Sequence, residues 1–172
     1  MGGLRDQLLT MARYEAWATR RLLDDVERLS DDAYRRDVGL FFRSVHGTLN
    51  HLLVTGRQLW FERFAHAASP ALALDAEVET DRGRLRERLL EASSAWAPWL
   101  ATVPDERVER GRLEYRSTKG VAQSLPFAAA LAHVFNHGTH HRGQVTAAIT
   151  AMGQACPELD LVWMLQEQAR AA

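Results

Sequence analysis

One cysteine, Cys156, stands among 172 residues. That excludes an intrachain disulfide and fits a reducing compartment, so a cytoplasmic location is expected. Its flanks, GQACPELD, read as a turn holding an ordinary thiol. There is no surplus of positive charge: the formal net charge is −1, and phosphate binding leans on a clear Lys/Arg excess. The basic residues are interleaved with acids (RRLLDDVER, DRGRLRER), the pattern of solvated helix faces, so no nucleic-acid partner is expected. Long apolar runs are also missing. The opening MGGLRDQLLTMARYEAW carries Arg5 and Asp6 where a signal peptide needs an unbroken apolar core. The longest stretch free of Asp, Glu, Lys and Arg, Gly120 to His141, contains Gln123, Pro126, Asn136 and several histidines, a poor surface for lipid, so no membrane span is expected. Repeats, low-complexity tracts and linkers are absent, and the length suits a single domain over residues 1–172.

What the chain does contain is helical periodicity. Leu4, Leu8, Met11, Ala18 and Leu22 recur at threes and fours, widened by Trp17 and Leu23. After Ser44, the residues Leu49, Leu52, Leu53, Leu59, Trp60 and Phe64 fall on one broad side. Leu85, Leu89, Ala92, Trp96, Trp99 and Val103 form a third stripe that Pro104 stops. A fourth begins near Pro126 with Leu131, Val134, Gly138, Val145, Ile149 and Met152, and Gly153 is a natural terminator. A short helix is expected over Asp160–Gln166. Four amphipathic helices hide their stripes only against one another, which predicts an all-α four-helix bundle. The third connection, Asp105 to Leu125, is long for such a bundle. Leu113 and Tyr115 alternate with charges before Ser117-Thr-Lys-Gly120, predicting a hairpin, and the loop is expected to cover or line a site. The aromatic residues Tyr14, Trp17, Trp96 and Trp99 suggest a self-complementary patch and a homodimer.

The histidines are unevenly spread. His133, His137, His140 and His141 crowd one helix in HVFNHGTHHRGQV. Residues four apart on a helix point within about 40° of each other, so His137 and His141 offer two imidazole nitrogens to one ion. His133 continues their column, whereas His140 is turned about 100° from His141. The column overlaps the core-facing stripe, where an unpaired polar group costs about 1–3 kcal/mol; a metal accounts for both rings. A third ligand must come from another helix. His46, His51 and His66 are the imidazole candidates, and spacing alone does not choose between them.

SVHGTLNHLLVTGRQLWFERF and HVFNHGTHHRGQV, with YEAW near the start and LDLVWMLQE at the end, resemble the DinB family of four-helix bundle proteins, related to YfiT-like thiol transferases and mycothiol-dependent isomerases. The resemblance covers essentially the whole chain. It implies one divalent transition metal per chain, held by His51, His137 and His141. Three imidazoles suit a borderline ion, nickel or zinc, and leave coordination positions open as in reactive zinc sites. Gln144 lies on the face of His141 and is a candidate to hydrogen-bond a ligand or water. Arg142 and His46 are expected to be structural. The sequence departs from the family pattern at Gly56, where many relatives carry Asp. Two functional classes follow: an enzyme in which the metal activates a low-molecular-weight thiol or water towards a small electrophile, as in a thiol (S-)transferase or a hydrolase, and a non-catalytic metal-binding protein associated with stress or damage.

Overall fold

The computed structural model describes residues 3–171. Helix α1 (Leu4–Val26) opens where the Asp6 carboxylate accepts the Gly3 N–H, and it buries Leu8, Ala12, Tyr14, Ala18, Leu22 and Leu23 while Leu4 stays exposed. Ser30 caps the short α2 (Asp31–Arg35) by accepting the Ala33 N–H. Ser44 does the same for α3 (Val45–Leu53) through the Gly47 N–H. This helix continues without a break into a π-helical segment, Val54–Phe61, and then α4 (Glu62–Ala65). The wider turn shifts the phase expected from a regular helix. Leu49, Leu53 and Leu59 are buried as expected, and Leu52, ahead of the wide segment, is half-buried; beyond its start Trp60 and Phe64 are only half-buried and Phe61 turns into the core.

Asp81 caps α5 (Arg82–Ser94), and α6 (Trp96–Thr102) follows after Ala95. The sequence predicts one helix here; Pro98 lacks the N–H that would bond four residues back to Ser94, so the helix breaks just before it. A short α7 (Asp105–Arg110), not expected from the periodicity, precedes the hairpin. Strands β1 (Arg112–Arg116) and β2 (Ala122–Pro126) pair antiparallel with Leu113 opposite Leu125 and Tyr115 opposite Gln123. Gly120 takes φ +77° in their turn, where an L side chain would be strained. Helix α8 (Phe127–Ala151) stops before Gly153 at φ +75°, and α9 (Leu161–Ala171) runs beyond the expected Gln166. Among the described residues no helix is long and apolar enough to cross a membrane.

The long helices form the all-α bundle. α1 packs against α5 and α8, and α3 packs against the same two helices from the other corner. Of the aromatic residues expected on a surface patch, Tyr14 and Trp96 are buried in the core, and Trp17 and Trp99 are half-buried. The core has two apolar halves. Leu22, Val26, Leu49, Leu53, Leu89 and Ile149 fill one; Leu8, Phe61, Trp96, Leu100, Leu131 and Phe135 fill the other.

Between these halves lies a polar layer. Arg142, 1% exposed, places Nη1 2.7 Å from Glu15 Oε2, joining α8 to α1. Its Nη2 donates to Thr139 Oγ1 at 3.2 Å, and its guanidinium lies over the Tyr14 ring. Gly138 makes room for this pair: a Cβ there would lie 2.6 Å from Glu15 Oε1. Removing one partner of a buried ion pair leaves the other charge uncompensated, at a cost of about 3–5 kcal/mol. Glu15→Ala is therefore expected to destabilise the protein by that amount in urea unfolding. Gly138→Ala should cost about 1–3 kcal/mol by overpacking, and much of that cost should vanish in the Glu15→Ala background. Additive losses would show that the glycine and the carboxylate do not compete for the same space.

Candidate metal centre

His51 is buried in the last turn of α3, and His137 and His141 lie one turn apart on α8, which packs against α3. Four-residue spacing on one helix and adjacency of the two helices bring the three rings together. His137 Nε2 lies 3.2 Å from His51 Nε2 and 3.1 Å from His141 Nε2. An ion bound at about 2.0–2.1 Å to each nitrogen would set them about 3.3–3.4 Å apart in a tetrahedron and about 2.8–3.0 Å apart at right angles. The observed separations fall between these limits. The three histidines form a group that could hold a metal ion.

Two of the remaining ring nitrogens are tied down. His51 Nδ1 lies 2.7 Å from the Leu74 carbonyl, and His141 Nδ1 lies 2.7 Å from Gln144 Oε1. Both oxygens accept, so each Nδ1 carries the proton and each Nε2 presents a lone pair to the centre. His137 Nε2 has at most one proton to donate, and it faces both lone pairs. Imidazoles alone therefore leave at least one converging lone pair without a donor, and a cation satisfies all three. Partners of this kind fix tautomer and ring orientation around bound metals.

Electrostatics point the same way. Burial pushes the His51 pKa down to about 4, with the Leu74 carbonyl opposing. Burial and then the neighbouring His141 and His51 push His137 down to about 3. Burial also lowers His141, against the effect of its bond to Gln144. All three are neutral near pH 7, the form that ligates. In the unfolded chain they return to an ordinary value near 6.5, so below that pH the unfolded state binds protons that the folded state refuses. Stability of the metal-free protein is thus fully present above pH 6.5 and lost as the pH falls through that value towards 4. The melting temperature of chelated protein is expected to drop over this window, and to drop less in His51→Gln and His137→Gln. A melting temperature indifferent to pH between 6.5 and 4 would contradict the buried neutral state.

The other histidines are placed elsewhere. His140 is exposed and edge-on to His141, with ring centroids 5.0 Å apart, and lies outside the group. His133, also exposed, stacks edge-on to Trp60. His46 is buried between the Tyr34 hydroxyl and the Glu77 carboxylate, with Asn50 beside it, a structural role as expected. His66 is exposed and bonds to Glu62. The Asp105–Leu125 connection is not what reaches the rings: its Tyr115 packs on Trp60 and Arg63 instead. The segment over 67–81 takes that part through Leu74. A backbone carbonyl carries no signature of residue type, so nothing in the sequence marked it. Phe42, stacked on His51, was also missed; its only sequence signal is an aromatic pair just ahead of the Ser44 cap.

Comparison with known proteins agrees with this architecture. The model described as DinB family matches residues 4–171. "Protein DinB" of Bacillus subtilis (strain 168) is 24% identical over 163 residues, spanning 91% of this chain and 92% of that protein. With a helical bundle, three converging imidazoles and a match over nearly its whole length, the chain belongs to the DinB family.

Proposed function

We propose that the protein binds one divalent transition metal, nickel or zinc, through His51, His137 and His141, and uses it in thiol (S-)transfer or a related reaction. The observation that carries the reading is the convergence of the Nε2 atoms of His51 and His141 on His137 Nε2 at 3.2 and 3.1 Å, both presented as lone pairs because Leu74 and Gln144 hold the Nδ1 protons. Three imidazoles without thiolate or carboxylate suit borderline ions. Being neutral, they leave the full charge of the ion in place, and being three, they leave positions free for a further ligand. A bound ion of this kind supplies Lewis acidity that makes a water or a small thiol a better nucleophile near neutral pH. The chain's own residues hold the protons on the outer nitrogens of His51 and His141 and so keep the buried inner ones bare. A cytoplasmic location, where low-molecular-weight thiols are reduced, fits the single half-buried cysteine.

Metal analysis of purified protein is expected to give about one ion per chain. His51→Ala, His137→Ala and His141→Ala should each lose most of it, and His140→Ala should keep it. Loss in His140→Ala equal to that in the others would refute the ligand set. The apolar core is independent of the site, so chelated protein should remain helical by circular dichroism. Metal should raise its stability by roughly 3–4 kcal/mol at a hundred to a thousand times the dissociation constant. Thiol conjugation to small electrophiles, assayed with and without metal, separates the two functional classes. Metal binding with no turnover across thiols, electrophiles and ester substrates would favour the non-catalytic protein.

A further inference from the structure

The segment between α2 and α3 is folded tightly on itself. Asp37 accepts the Gly39 N–H and the Arg43 side chain, each at 3.0 Å. The Val38 N–H donates to the Arg43 carbonyl, the Arg43 N–H to the Leu40 carbonyl, and the Ser44 N–H to the Phe42 carbonyl. Two residues take left-handed backbone conformations, Gly39 at φ +75° and Arg43 at φ +69°. The second is a long side chain in a region that side chains rarely adopt, and such strain persists only where its surroundings enforce it. What this turn achieves is a division of its two aromatic residues. Phe41 is 80% exposed. Phe42 points inward and stacks on the His51 ring, with centroids 3.7 Å apart and planes 19° from parallel. The same ring lies 5.6 Å from the His141 ring, so it touches ligands from both helices.

Gly47 secures the arrangement from the helix side. Any Cβ at this position would lie 2.2 Å from the Phe42 carbonyl oxygen. Gly47 also lies one turn before His51 and donates its N–H to the capping Ser44. The turn and the histidine are thus built against the same short stretch of α3. A hydrogen bond from Nδ1 to Leu74 fixes where the His51 ring points, yet it leaves the ring free to tilt about that bond. A flat aromatic surface against the ring face removes this freedom.

We propose that Phe42 is a positioning residue of the three-histidine centre, and that Gly47 lacks a side chain so that the Leu40–Arg43 turn can press Phe42 onto His51. The inference rests on the metal-binding reading above. Cobalt(II) is the probe, because its visible absorption reports ligand geometry as well as occupancy. Phe42→Ala, Phe42→Leu and Gly47→Ala are expected to weaken Co(II) binding roughly 10–100-fold, the usual effect of losing an outer-shell partner, and to change the shape of the absorption band. Phe42→Tyr, which keeps the ring, should restore both, and Phe41→Ala on the same turn should behave as the parent protein. A merely structural role would lower the melting temperature of the metal-free variants while leaving affinity and spectrum unmoved, and that result overturns the proposal. Should the parent protein itself take up no Co(II), the metal-binding reading fails first and this inference with it; parent binding matched by folded Phe42→Leu and Gly47→Ala refutes the positioning role alone.

Discussion

Lone pairs aimed at one point repel each other, and those of His51 and His141 Nε2 converge with at most one His137 proton to share, which relieves that repulsion only in part. Protonation would relieve it, but burial makes an imidazolium costly there. Rotation of the rings would relieve it too, and Leu74 and Gln144 hold two of them in place. What remains is a group of neutral donors preorganised before any ion arrives. The bundle makes this affordable by setting α3 beside α8 and by keeping two apolar halves of core on either side of the polar layer.

Helix α8 divides its labour by direction. His141 and Arg142 are consecutive, so they diverge by about 100° around the helix. One faces α3 and the candidate metal centre; the other faces α1 and meets Glu15. Gly138, one turn before Arg142, allows the carboxylate to approach the helix backbone. The Glu15–Arg142 pair therefore clamps the rotational setting of the helix that carries two of the three imidazoles. A small rotation of α8 would move both His137 and His141 away from His51 together.

Much of this was legible in the sequence because it is periodic. The stripes of α1 and α8, the Ser44 cap, the Gly153 stop and the pairing of His137 with His141 all follow from residues spaced along one element. Selection of His51 needed the family resemblance, since its position beside the apolar stripe is no more favourable by spacing than that of His46. The contributions of Phe42 and Leu74 were invisible for another reason: both come from irregular segments brought in by tertiary contacts, and one acts through its backbone. The π-helical segment defeated a regular count because its wider turn delays each later side chain, which is why Phe61 rather than Trp60 enters the core. Pro98 did carry a readable signal, and an unbroken apolar stripe from Leu85 to Val103 obscured it.

Gly56 borders a cavity of about 30 Å³ lined in part by Glu15, Thr19, Ser93 and Arg142, and a side chain at this position would meet nothing within 4 Å. In this chain position 56 supplies no acid, so one glutamate faces one arginine beside the cavity. The three imidazoles are neutral. A second carboxylate would have given the interior a net negative charge and a permanent counterweight to any cation at the centre. Without it, a divalent ion there would meet only dipoles from these groups, and its charge would be balanced chiefly by whatever anion it binds next.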